Sequence, residues 1–239
     1  MKKKVLITIE VILIIVVLIS SYKIITWFMN NNENNNIQQE VKDKVIIEDL
    51  QINTTIAHKI DFNNLKDINS DGIAWLTVNN TNIDYPILQT TNNDYYLNHN
   101  LYKEKSESGW PFLDYRNSLI DKNIIIYAHN RLDGSMFGSL KQLKSKGYLN
   151  NISNREIVLM TKTATIEYEI FSIYEVQEED YYLKTIFNEK SYNKFLNTIK
   201  KRSIYDLDVD LDNTTQILTL STCTIEDNKR LVVHAKKVN

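Results

Sequence analysis

The chain has 239 residues, 43% of them hydrophobic and 24% charged, which is enough for one substantial core with appendages. Its formal net charge is −2, acids and bases are interspersed, and no basic run stands out beyond residues 2–4, so nothing favours a nucleic-acid partner. Only 5 Gly and 2 Pro exclude collagen-like and Pro-rich classes.

The N-terminus reads "MKKKVLITIEVILIIVVLISSYKIITWFM" (1–29): three lysines, a long apolar run, then apolar character resuming to Met29. A cleaved signal peptide has a shorter apolar region and a small-residue cleavage site, which "SS" at 20–21 matches poorly. The stretch reaches the roughly 20 residues that span a bilayer. Glu10 inside it requires protonation, a partner or a later start of the span. The reading adopted is an uncleaved signal-anchor over 1–29, with Lys2, Lys3 and Lys4 cytoplasmic and the rest of the chain outside the cell membrane. "NNNENNNIQQEVKDK" (30–44) is polar and low in complexity, and is expected to be a linker. An outer domain over 45–239 follows.

The outer domain begins with "VIIEDLQINTTIAHKIDFNNL" (45–65), read as helical. Short β-rich runs come next: "GIAWLTV", "IDYPIL", "YYLNHN", "GWPFLDY" and the β-branched "NIIIYAH" (123–129). "GSMFGSLKQLKSKGYL" sets Met136, Leu140 and Leu143 on one helical face. "EIVLMT" and "ATIEYEIFSIYEV" read as strands, the second with clear alternation. "NEKSYNKFLNTIKKRS" (188–203) is the best helix, with Tyr192, Phe195, Leu196 and Ile199 on one face. "TQILTLSTC" and "RLVVHAKKV" close the chain as strands. Many short strands with few helices argue for a mainly β barrel or sandwich. There is no internal repeat, P-loop, GxGxxG or metal-spaced His/Cys cluster, so no cofactor or metal is expected.

Cys223 is the only cysteine. Outside the cell an unpaired thiol risks oxidation, so it is either deeply buried or used. Taken alone, a lone Cys is more often a small core hydrophobe. It ends a predicted strand, however, and strand ends at a barrel rim are where sites collect. A thiol becomes a nucleophile when a base or cation favours its thiolate. Of the four histidines, His58 and His99 lack a neighbouring constellation in the sequence, and His234 alternates within the last strand as a structural residue. His129 stands at a strand-to-loop junction and is the candidate base. Arg230 opens the final strand, so Cys223 and Arg230 flank one loop, and a guanidinium there can donate to a developing oxyanion. Each of the three has a bland reading by itself; the joint pattern of His, Cys and Arg, each at a strand edge, is what points to chemistry.

The set "IIIYAHN", "TLSTC" and "RLVVHAK" resembles the sortases, cysteine transpeptidases of Gram-positive cell surfaces. "TNIDYPILQTTNNDYYLNHN", "GWPFLDYRNS", "YAHNRLDGSMFGSLKQL" and the insertion "YYLKTIFNEKSYNKFLNTIKKRSIYD" are similar to class B segments, so the likeness runs from about residue 62 to the C-terminus. The resemblance implies an eight-stranded sortase-type β-barrel with N-terminal helices and a long helix inserted before the last two strands. It implies that Cys223 attacks a Thr carbonyl in the C-terminal sorting signal of a surface protein, forming a thioester. A cell-wall peptide amine, free or on a lipid-linked precursor, then resolves it. His129 is the implied acid and base, and Arg230 the oxyanion donor. Ser221 matches a groove-lining class B position, and Ser221 and Asn130 are the candidate substrate-binding residues. Class B relatives favour signals of the NPxTx type. The loop from 223 to 230 is short for the class; Ile225 stands where some members carry an acid, and neither Glu226 nor Asp227 is assigned a role. Two other readings are a different membrane-anchored cysteine peptidase, whose papain-like form is opposed by the His-before-Cys order, and a tethered β-barrel binding module with an inert Cys.

Overall fold

The computed structural model of the chain describes residues 2–177, 179–223 and 229–238. Helix α1 (Lys2–Val45) leads into a hairpin, β1 (Ile46–Ile52) and β2 (Thr55–Ile60), and then α2 (Phe62–Ile68). Strands β3 (Gly72–Val78), β4 (Asp84–Leu88), β5 (Phe112–Leu113) and β6 (Asn123–Ala128) follow, then α3 (Lys146–Leu149), β7 (Glu156–Thr161), β8 (Thr165–Gln177), α4 (Glu189–Lys201), β9 (Ile217–Cys223) and β10 (Lys229–Lys237). Eight strands close a barrel in the order β10-β8-β7-β3-β4-β5-β6-β9, with β9 returning to β10. Two of its pairings are parallel, β4 with β5 and β6 with β9. The core holds the inward residues of these strands, including Leu76, Ile124, Ile126, Leu218, Leu220 and Val233, each essentially without exposure. The eight-stranded barrel, the N-terminal helices and the helix before the last two strands all match the expected fold.

Helix α4 is specified locally. Asn188 caps it, accepting from Ser191 N at 2.8 Å while Ser191 Oγ accepts from Asn188 N at 2.9 Å. Tyr192, Phe195, Leu196 and Ile199 are its buried stripe. Beneath it His234 is fully buried: Nδ1 donates to Thr219 Oγ1 (2.8 Å) and Nε2 accepts from Tyr174 OH (2.9 Å). Desolvation pulls its pKa down to about 3, so the ring is a neutral structural link.

Three regions differ from expectation. Residues 45–65 form a hairpin and a short helix instead of one helix, because Asn53 (φ 50°) takes the left-handed turn and Asp61 caps α2 through its side chain. "YYLNHN" contains a 3-10 turn, Tyr95–Leu97, and only Phe112–Leu113 of "GWPFLDY" is strand. Within 30–44 the backbone is helical, and Asn34, Ile37, Val41 and Val45 are buried against the domain. Their 3–4 residue spacing is one helical face, thinly written among Asn, Gln and Lys.

His58, set aside in the sequence, lies in a polar hub. The Asp84 carboxylate takes Trp75 Nε1 (2.6 Å), Thr77 Oγ1 (3.1 Å), His58 Nε2 (3.1 Å) and Lys42 Nζ (2.6 Å), and His58 Nδ1 meets Asp49 at 2.7 Å. One carboxylate therefore joins α1, β2, β3 and β4. Burial opposes charge at both groups, but the pairing outweighs it: Asp84 is held far below the usual carboxylate range and His58 is raised above the ordinary imidazole value.

Two outcomes follow for stability. Removing 1–29 should leave the melting temperature of the domain unchanged, whereas removing 1–44 strips Ile37 and Val41 from the core and should lower stability by about 3–6 kcal/mol, read by urea unfolding of the two truncations. The hub gives a pH signature. Asp84, depressed in the fold, contributes above its unfolded pKa and loses that contribution as pH falls. His58, raised in the fold, contributes below its unfolded pKa and loses that contribution as pH rises through its folded value. Asp84→Asn should cost about 3 kcal/mol near pH 6 and flatten both limbs of the stability–pH curve; an unchanged curve by denaturant titration would contradict the coupling.

Candidate active site

The parallel β6–β9 ladder runs Asn123↔Ile217 through Ala128↔Thr222. One step further, His129 stands abreast of Cys223. On the other side of β9, the β10 ladder pairs Arg230 with Cys223. Three neighbouring strands therefore bring backbone positions 129, 223 and 230 together at one rim. The loop 224–228, with Glu226 and Asp227, lies outside the described residues.

Beside these positions is a cleft of about 300 Å³, lined among others by Leu97, Phe112, Tyr127, His129, Ser221 and Arg230. A larger hollow of about 830 Å³ opens at the opposite end of the barrel around Lys122, Lys162, Gln216 and Lys237, and among the described residues no His lines it. Of the candidate residues, His129, Ser221 and Arg230 line the smaller cleft.

His129 is half-buried, and its Nε2 lies 2.7 Å from the Leu97 carbonyl oxygen. A carbonyl only accepts, so Nε2 carries the hydrogen and, in the neutral ring, Nδ1 keeps the lone pair. The His129 backbone is fixed by Phe137 N donating to its carbonyl at 2.9 Å. Leu97 closes the 3-10 turn Tyr95–Leu97, which packs on Gly109. Gly109 has φ 56°, and a Cβ there would sit 2.3 Å from the Tyr96 oxygen and 2.8 Å from the Leu97 oxygen. The glycine is what lets the turn reach the histidine.

Ser221 lines the cleft wall but is 1% exposed, and its Oγ lies 3.0 Å from Tyr182 OH. Asn130 instead pairs with Met136 across the loop after His129 and is not among the lining residues.

Sequence reasoning gave no role to a second polar group behind the cleft. Asp114, with its side chain fully buried, accepts from Arg116 Nε (2.9 Å) and Nη2 (2.7 Å) and from Tyr127 OH (2.8 Å). Burial pushes the Asp114 carboxyl up, but the Arg116 bonds outweigh it and leave it below its usual range. Burial, then the Asp114 charge, push Tyr127 upward, so its phenol stays a neutral donor. Arg116 Nη2 also donates to Leu183 O at 3.1 Å, and Asn123 Nδ2 donates to Tyr182 O (3.1 Å) and Lys184 O (2.9 Å). Arg202 at the end of α4 pairs with Glu179 and stacks 5.0 Å over Tyr181. The cleft wall at 179–184 is thereby pinned from β5, β6 and α4. The one signal available beforehand was the close Asp-x-Arg spacing in "LDYR".

Residues Lys3–Trp27 of α1 are long and apolar enough to cross a membrane. The Sortase domain family profile matches residues 76–238. Sortase B of Listeria monocytogenes is 40% identical over 180 residues, covering 73% of this chain and 72% of that protein. Among solved structures, sortase B from Bacillus anthracis superposes with a TM-score of 0.78 at 34% identity, over 89% of this chain and 99% of that one. A Staphylococcus aureus sortase B–substrate complex superposes at 0.76 with 27% identity, over 88% and 99%. The chain belongs to the sortase family, and its relatives make it a class B sortase, a cysteine transpeptidase.

Proposed function

We propose that the cleft at the β6–β9–β10 rim cuts a C-terminal sorting signal after Thr and transfers the Thr-acyl group to a cell-wall peptide amine. The Cys223 thiolate attacks the Thr carbonyl. The tetrahedral oxyanion is met by Arg230, and collapse forms a thioester while the peptide amine departs with a proton from His129. The incoming amine attacks the thioester, gives its proton to His129 and releases the thiolate. The observation that carries this reading is the register, parallel on one side of β9 and antiparallel on the other, which sets the three positions abreast. The lone-pair nitrogen left on His129 by the Leu97 carbonyl supports its role as base. The S. aureus relative solved with substrate supports a peptide occupant for the cleft. Ser221, backed by the buried Tyr182 hydroxyl, forms part of one wall, and Asn130 acts from the loop edge.

The same reading assigns 1–29 to a single-pass membrane anchor, 30–44 to the connector and 45–239 to an extracellular catalytic domain. The acceptor is the amine of a cell-wall peptide or of its lipid-linked precursor.

Cys223→Ala should abolish cleavage of a Thr-containing signal peptide while leaving the melting temperature within a few degrees, since it removes one sulfur atom. His129→Ala should lower turnover by about 10²–10⁴-fold. A native thiol that resists alkylation by a methanethiosulfonate, together with full turnover in His129→Ala, would leave Cys223 an inert core residue.

Arg230→Ala should lower kcat by about 10²–10³-fold, corresponding to about 2.7–4 kcal/mol, and Arg230→Lys should not restore it, because lysine keeps the charge but loses the planar fork. Thiol alkylation rates should be unchanged in both. Full activity in Arg230→Lys would reduce the residue to a general positive charge, and full activity in Arg230→Ala would remove it from the site.

A further inference from the structure

Helix α1 runs without interruption from Lys2 to Val45, so the apolar segment Lys3–Trp27 and the stripe packed on the domain belong to one rod. Asn34, Ile37, Val41 and Val45 form that stripe. Polar contacts lock it along its length. Gln38 Nε2 donates to Asp84 O at 2.9 Å, Lys42 Nζ pairs with Asp84 Oδ2 at 2.6 Å, and the Val45 carbonyl accepts from Asp61 N at 2.8 Å. From Trp27 to Asn34 is seven residues, about 10 Å of helix. The headgroup layer on one side of a bilayer is about 5–7 Å thick. A chain that crosses at Lys3–Trp27 therefore meets the packed part of its own domain just beyond the headgroups.

Strand directions say which rim meets them. β5 is antiparallel to β6 and parallel to β4, so β4 begins at the rim where β6 ends. Asp84 opens β4, and Ala128 closes β6 immediately before His129. At that rim Asn35 and Gln38 of α1 border a polar hollow shared with Thr81, Asn82, Asp133 and Ser135. The rod thus leaves the barrel at the rim that carries positions 129, 223 and 230. The loop after His129 turns at Gly134 (φ 83°), and it carries Leu132, an exposed hydrophobic at 64%. Asp133 in the same loop is engaged by Ser135 N (3.0 Å) and Oγ (2.7 Å).

We propose that α1 is a rigid strut that seats the catalytic rim against the outer headgroup layer, with the loop 131–135 and its Leu132 as the membrane-facing surface. The inference rests on the reading of Lys3–Trp27 as a membrane span. The partner is the lipid surface itself: an apolar rod continuous with the packed helix fixes both the height and the facing of the domain. A flexible 15-residue connector would instead leave its ends free over roughly 20 Å with no preferred rim. Seating the rim there puts the thioester at the height where a lipid-linked amine is presented.

The test uses the full-length chain reconstituted in vesicles containing a nickel-chelating lipid. Nitroxide labels are placed at Leu132→Cys and, on the β7–β8 turn at the opposite rim, at Thr163→Cys, each with Cys223→Ala. Expected is a relaxation enhancement several-fold greater at 132 than at 163, and convergence of the two when Asn31→Gly and Asn32→Pro break the rod. Equal enhancement at both labels in the unbroken chain, greater enhancement at 163, or no change on breaking the rod overturns the strut. Failure of the chain to co-float with vesicles overturns the span and the strut with it. Peptide cleavage by the unlabelled chain is scored separately. Its loss alongside unequal relaxation leaves the strut standing and removes the catalytic reading.

Discussion

The site depends on one pairing, the parallel ladder between β6 and β9. Parallel neighbours cannot be joined by a tight turn, so the chain must travel away and return. Here residues 129–216 make that journey, building β7, β8 and α4 on the way. His129 and Cys223, 94 positions apart in sequence, meet only when β9 slots between β6 and β10 and the barrel closes. A slip of one residue in that ladder would turn every β9 side chain to the opposite face. The register is held by the buried inward residues Leu218 and Leu220 and, on the outer face, by Thr219 Oγ1 bonding both Asn123 Oδ1 (2.6 Å) and His234 Nδ1 (2.8 Å). Neutral His234, buried under α4, thus serves the site without touching it.

Two carboxylates, Asp114 fully buried and Asp84 partly so, extend the same logic to neighbouring elements. Asp114 joins the strand that leads to His129, through Tyr127, to the opposite wall of the cleft, through Arg116 and the Leu183 carbonyl. Asp84 joins α1 to three strands through Lys42, His58 and Trp75. In each case a charge in a largely desolvated place is tolerated because its acceptor sites are taken up by donors, and removing one donor leaves the others facing an uncompensated carboxylate. One hub sets the width of the cleft and the other sets the angle of the helix that leads toward the apolar segment.

Strand identity was legible where the pattern was strong: a β-branched run for β6, an apolar run for β9, alternation in β8, and a single apolar face in α4. The triplet of 129, 223 and 230 was legible as three reactive types at strand edges. What escaped was carried by sparse or distant signals. Ile37, Val41 and Val45 are three apolar residues in a segment dominated by Asn, Gln and Lys, and composition there outweighed spacing. The β1–β2 hairpin turns on Asn53 in the left-handed region, a conformation the residue allows without announcing. His58 finds its main partner 26 positions away at Asp84, and no local pattern records that. Arg116 and Tyr127 lay inside segments whose likeness to class B relatives was noted, but their roles depend on a shared buried carboxylate that only the folded barrel brings together.

The chain of cause at the histidine begins at a residue with no side chain. Gly109 adopts φ 56° where any Cβ would run into the Tyr96 and Leu97 carbonyl oxygens, so the 3-10 turn Tyr95–Leu97 settles directly upon it, held by Trp110 N donating to Tyr96 O at 2.9 Å. That places the Leu97 carbonyl 2.7 Å from His129 Nε2. A backbone acceptor cannot change its protonation state, so in the neutral ring it selects one tautomer, with the hydrogen on Nε2 and the lone pair on Nδ1. The orientation of His129 is therefore set from the turn: Gly109 admits it, the turn places the Leu97 carbonyl, and that carbonyl fixes which ring nitrogen keeps its lone pair.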